Sequence, residues 1–103
     1  MNEWCVIIMD NPGADRSKHA NEHLVGVRRN KASGLFLSGG QINDESTPRK
    51  AIGSHLQIRC GTKEEVLEIL RNDPFTKGGV WNMDIAKVYH LKCVYREKLE
   101  MQI

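Results

Sequence analysis

Apolar residues alternate or cluster in four short runs along the chain, and two longer stretches between them carry helical spacing. The first run, Trp4 to Met9, is rich in β formers and is closed by the turn cluster Asp10-Asn11-Pro12-Gly13. Both of its faces are apolar, Trp4, Val6 and Ile8 on one side and Cys5, Ile7 and Met9 on the other, which predicts a strand covered on two sides. A helix is expected from Arg16 to Ser33, capped by Asp15 or Ser17, with Ala20, Leu24, Val27 and Lys31 in a stripe and Val25 beside it. Gly34 suits the position just past its end. A second strand begins at Leu35-Phe36-Leu37 and continues through Ser38-Gly39-Gly40-Gln41-Ile42. Its double glycine predicts a bulge, or a place where a ligand or another backbone comes close. Asn43 to Gly53, polar and interrupted by Pro48, reads as a loop.

His55 to Cys60 alternates again, with Leu56, Ile58 and Cys60 on one face. Thr62-Lys63-Glu64-Glu65 has the form of a capping box, Thr62 at the N-cap and Glu65 at N3, and opens a helix that buries Val66, Leu67, Ile69 and Leu70. Pro74 ends that helix, because it has no N–H to give and it forces Asp73 away from helical geometry. Phe75, Val80 and Trp81 then surround a Gly78-Gly79 bend where positive φ is available. Asp84 to Tyr95 reads as a long fourth strand, and Glu97 to Ile103 as a tail without a periodic partner. Strand, helix, strand, strand, helix, strand is the α+β, ferredoxin-like βαββαβ order, with two helices on one face of a four-stranded antiparallel sheet. No element is left to cover the other face, so a homodimer joined sheet to sheet is expected.

Size and charge narrow the classes of function. A chain of 103 residues is expected to form one domain, residues 1–96, followed by the tail 97–103. A net charge of +2, with the basic residues scattered, argues against a nucleic-acid partner. The first residues lack a basic leader region, and their apolar run is too short for a signal peptide or a membrane span. Cys5, Cys60 and Cys93 are odd in number, far apart and set in apolar segments, which predicts free buried thiols and a reducing, cytoplasmic setting. Gly39-Gly40 lacks the spacing of a phosphate loop.

Two residues stand out as candidate chemistry. His19 and His23 lie four apart on one helix face, a spacing that suits a metal; the H-E-x-x-H order and any cysteine cluster are absent, so no metal is expected. His23, beside Leu24 at the edge of the apolar stripe, reads either as a half-buried histidine satisfied locally or as a proton-transfer group. Asp73 reads either as a helix stop or as an acid in an active-site wall beside Phe75 and Trp81.

Asp73-Pro74-Phe75 followed by Gly79-Val80-Trp81 resembles the Asp-Pro-aromatic, Gly-Val-Tyr/Trp signature of the YciI-like (YCII-related) family. Glu22-His23-Leu24, Gly34 and Leu37-Ser38-Gly39-Gly40 are similar to that family's His-Leu helix and small-residue strand. The family's usual Gly-Pro on the second strand is Gly39-Gly40 here, with Pro48 further on. The resemblance, from about Glu3 to Tyr95, implies a dimeric α+β barrel in which His23 and Asp73 form a catalytic pair. It also implies a substrate site among Ser38, Gly39, Gly40, Phe75 and Trp81. A carboxylate beside an imidazole fixes its tautomer and strengthens it as a general base. The expected function is a cofactor-independent enzyme moving protons on a small organic molecule, by isomerase, lyase or dehydrohalogenase-like chemistry. The alternative is a non-catalytic ligand-binding or stress-related dimer.

Overall fold

A computed structural model describes residues 1–46 and 48–102. Thr47, in the expected loop, and Ile103, at the end of the expected tail, lie outside the described residues. Four strands, β1 (Asn2–Met9), β2 (Phe36–Asn43), β3 (Ala51–Cys60) and β4 (Lys87–Leu91), form one sheet in the order β2-β3-β1-β4, every neighbouring pair antiparallel. Besides helices α1 (Ala20–Ala32) and α2 (Lys63–Asn72) there is a short α3 (Pro74–Lys77) that follows α2 directly. This is the mixed α+β order the pattern predicts.

β1 is central, paired to β3 on one side and β4 on the other, which accounts for its unbroken apolar run. Val6 and Ile8 are fully buried on the helix side, where they meet Leu56 and Ile58 of β3, Val88 of β4, Phe36 of β2 and Val66 and Leu70 of α2. Cys5, Ile7 and Met9 point to the opposite face and are half-buried. Arg96 crosses that face, donating from Nη2 to Glu3 Oε1 at 2.9 Å and to Gln57 Oε1 at 2.8 Å. No helix among the described residues is long and apolar enough to cross a membrane.

Three boundaries and the place of one residue differ from the pattern. α1 begins at Ala20, because Asp15 accepts the Ser17 N–H and winds Arg16–Lys18 into a separate 3-10 turn. Val25 lies off the buried stripe and is 60% exposed. The loop is shorter than Asn43 to Gly53, since β3 already pairs from Ala51. β4 stops at Leu91 where an alternating sequence continues, because Leu91 pairs with Glu3 and β1 has only one residue left beyond it. Past that point there is no strand to pair with, and Val94 and Tyr95 are exposed.

The capping box forms in a shifted version. Thr62 Oγ1 accepts the Glu65 N–H at 3.2 Å, and Glu65 Oε2 accepts the N–H of Gly61. Helix α2 is thereby fixed with Val66 and Leu70 under the sheet. Leu70→Ala should destabilise the protein by about 2–5 kcal/mol, the cost of emptying a fully buried site. Val25→Ala should change stability by about 0.5 kcal/mol or less. Urea unfolding of both variants measures the contrast; equal losses would mean the core is misplaced.

Candidate active site

Asp73 stands where α2 ends and α3 begins. Preceding a proline, its backbone is extended (φ −70°, ψ 139°), so it serves as C-cap of one helix and N-cap of the next. Its carboxylate folds over the first turn of α3, and Oδ1 accepts the Phe75 N–H at 2.8 Å. The same carboxylate accepts from His23 Nδ1, at 2.8 Å to Oδ1 and 3.1 Å to Oδ2. The two side chains are 12% and 11% exposed. An ionised carboxylate can only accept, so Nδ1 carries a proton, and in the neutral ring the lone pair lies on Nε2. Nε2 has no hydrogen-bond partner among the described residues, and none of their buried side-chain polar atoms is orphaned, so Nε2 opens to solvent.

An aromatic wall holds the imidazole in place. His23 stacks on Phe75 with ring centroids 3.9 Å apart and planes 14° from parallel. Trp81 meets both rings edge-on, at 5.3 Å from His23 and 5.6 Å from Phe75. Phe75 and Trp81 are themselves buried, so the wall is rigid. The bend that brings Trp81 back uses its two glycines differently. Gly79 takes the left-handed conformation (φ 75°), whereas Gly78 does not, and is needed because the His19 ring lies against it. A Cβ on Gly78 would fall 2.5 Å from His19 Nε2. His19 thus packs on a backbone while His23 is tied to Asp73, and no cluster of three or more metal-binding side chains occurs among the described residues.

Behind this wall is a polar network that pattern reading does not single out. Arg16 Nη1 donates to the Asp10 carboxylate at 3.0 and 3.3 Å and to the Gly53 carbonyl at 2.9 Å. Its Nη2 donates to Ser54 Oγ at 2.9 Å, and Trp81 Nε1 donates to the same oxygen at 3.1 Å. The guanidinium carbon is 4.8 Å from the Phe75 ring centre. One signal was available: Asp10 continues the even-numbered, core-facing side of β1, and Ser54 that of β3, both polar where apolar is the rule. Arg16 gave none, because it meets them only through the tertiary fold.

Burial pushes the Asp10 carboxyl above its ordinary value, outweighing the Arg16 charge and hydrogen bond that pull it down. Burial likewise raises the Cys60 thiol, which is therefore a poor nucleophile. All three cysteines are free.

The structure brings His23, Asp73, Phe75 and Trp81 together, and separates them from part of the glycine-rich strand. A bulge at Leu37 shifts the register of β2 by one residue, so Ser38 pairs with Gln57 and Gly40 with His55, on the face away from the helices. Gly39 pairs with Leu56 on the helix side, where a Cβ would fall 2.9 Å from Leu56 Cδ2. A groove of about 460 Å³ also runs between α1 and α2, its lining including Gly26, Asn30, Ile69, Asn72 and Asp73. Its only contact with the His23–Asp73 pair is Asp73, whose carboxylate is already engaged by His23 and Phe75.

The chain matches the model of the YCII-related domain over residues 2–88. It belongs to the YCII-related family. Among solved structures it is similar to 5-chloro-2-hydroxyhydroquinone dehydrochlorinase (TftG) from Burkholderia phenoliruptrix AC1100, in complex with 2,5-dihydroxybenzoquinone. The two share 26% sequence identity with a TM-score of 0.75, over 87% of this chain and 93% of that one. No curated protein matches the chain. Within this YCII-related domain, the aromatic residue of the Asp-Pro-aromatic signature is the platform for the histidine.

The Asp10 carboxyl gives a pH signature of known sign. With its folded pKa above the unfolded one, its contribution to stability is full below the ordinary value of 3.8 and is lost as pH rises through the folded value. Stability relative to Asp10→Asn should therefore fall as pH rises out of the ordinary carboxylate range. Urea unfolding of both proteins across the acid range measures this. A relative gain with rising pH would mean that the Arg16 ion pair outweighs burial.

Proposed function

We propose that this protein is a cofactor-independent enzyme that moves protons on a small hydroxylated aromatic molecule, with His23 as general base and acid and Asp73 as its orienting partner. The observation that carries this is the His23–Asp73 contact, which fixes the Nδ1–H tautomer and leaves Nε2 free at the surface of an aromatic wall. The likeness to a dehydrochlorinase holding a hydroxylated quinone supports the substrate class. Phe75 and Trp81 are buried, so they fix the imidazole that would face such a ring rather than offering it a surface. Ser38 and Gly40, on the far face, do not enter this reading.

Elimination from a halogenated hydroxyhydroquinone needs only such a group. His23 Nε2 takes a hydroxyl proton and returns it to the ring carbon that bears the halogen. Loss of a second hydroxyl proton then expels halide with the carbon–halogen electron pair and leaves a quinone. One proton and one halide leave, ring oxidation is matched by reduction of the carbon–halogen bond, and no outside oxidant enters.

Homodimerisation into an α+β barrel belongs to the same proposal. It is supported by the apolar sheet face of Cys5, Ile7 and Met9 and by Tyr89, which is 54% exposed. A cytoplasmic setting accords with three free thiols.

Asp73→Asn should slow halide release from 5-chloro-2-hydroxyhydroquinone by about 10²–10⁴-fold, the range of a general acid–base contribution. It should also move the His23 proton off Nδ1, seen in the imidazole nitrogen shifts by NMR. An unaltered rate, or a His23 spectrum unaffected by the substitution, would count against the pair. Light scattering at micromolar concentration should give a dimer mass; a stable monomer would remove the sheet-to-sheet assembly.

A further inference from the structure

Arg16 is held more firmly than a loop tether requires. Its guanidinium is 16% exposed and is anchored to the end of β1 through Asp10 and to β3 through the Gly53 carbonyl and the Ser54 hydroxyl. A half-buried ion pair is weak evidence for stability, since apolar replacements often serve as well. The arrangement does fix the direction of the guanidinium plane. Of its five N–H groups, two on Nη1 and one on Nη2 are used. Nε–H and the second Nη2–H have no partner among the described residues. They lie in the one guanidinium plane, and Nε is open to solvent, since no buried side-chain polar atom among those residues is orphaned.

The guanidinium lies beside the wall that carries His23. Phe75 is 4.8 Å from the Arg16 guanidinium carbon and 3.9 Å from the His23 ring centre, so cation and imidazole are separated by no more than those two lengths combined. A ring with its oxygens that runs past the edge of Phe75, the neighbour both groups share, spans that distance. The chemistry also calls for a cation: removing a hydroxyl proton from an aromatic ring leaves negative charge on oxygen, and His23 sits beside the carboxylate of Asp73. Among the described residues Arg16 is the one cation in contact with Phe75.

We propose that Arg16 is a substrate-contacting residue: its Nε–H and free Nη2–H bind the anionic oxygen of a phenolate or enolate ring while His23 moves the proton. This rests on the aromatic-substrate reading above and adds the charge state of the ligand, an anion in preference to a neutral ring. Asp10 and Ser54 are then positioning residues that aim the guanidinium.

The test compares two rings of similar size by calorimetry at neutral pH. 2,5-Dihydroxybenzoquinone is a vinylogous acid and carries negative charge there, whereas hydroquinone is neutral. The unaltered protein should bind the quinone anion with an affinity that falls as salt is added, and hydroquinone with little salt dependence. Arg16→Gln should weaken the anion by on the order of tenfold or more, the loss expected for a charge-assisted hydrogen bond, and hydroquinone much less. Arg16→Lys, which keeps the charge and loses the fork, should fall between them. A structural role alone would lower the melting temperature and leave this anion-to-neutral ratio unmoved. Equal anion affinity in Arg16→Gln overturns the assignment and leaves the aromatic reading standing. No binding of either ring to the unaltered protein overturns both. Should Arg16→Gln fail to fold, a salt-independent anion affinity in the unaltered protein overturns the assignment by itself.

Discussion

The site depends on one interruption of the backbone. Proline after Asp73 stops α2, and the extended conformation it imposes lets a single carboxylate accept both from the first turn of α3 and from an imidazole on α1. Were the helix to continue, Asp73 would project along its side and Phe75 would not be laid under His23. The contact that orients the histidine therefore also sets the angle between two helices. In this protein the orientation of the histidine and the packing of that corner cannot be tuned separately.

Support for the junction comes from several directions. Val80 and Trp81 both donate backbone N–H groups to the Phe75 carbonyl, at 2.8 and 3.0 Å. Asn11, just past β1, donates its side-chain amide to the Gly79 and Trp81 carbonyls. The segment from Pro74 to Trp81 is thus tied down at both ends. His23 owes its place to α3 more than to its own helix, in which no residue is fully buried.

Local chemistry explains what could be read from the sequence. The capping box, the Asp-Pro stop and the alternation of β1 and β3 each act within a few residues, and each appears where its rule places it. The pairing of His23 with Asp73 spans 50 positions and came from family resemblance, since no spacing rule joins an α1 residue to the end of α2. Arg16 shows the limit more plainly. It reads as an ordinary first residue of a helix, yet its 3-10 turn points it at partners 37 and 38 positions away. The direction of Ser38 was hidden for another reason, because a one-residue bulge reverses every side chain after it and leaves the composition of the strand unchanged.

That bulge has a consequence for how the protein behaves in a crowded solution. β2 and β4 are the two rims of the sheet, where unpaired backbone groups could template a strand from another molecule. One rim is kinked at Leu37 and carries two consecutive glycines; the other is five residues long and begins with a lysine. Neither offers a long, flat, apolar ribbon, so growth by strand addition into fibres is discouraged at both sides.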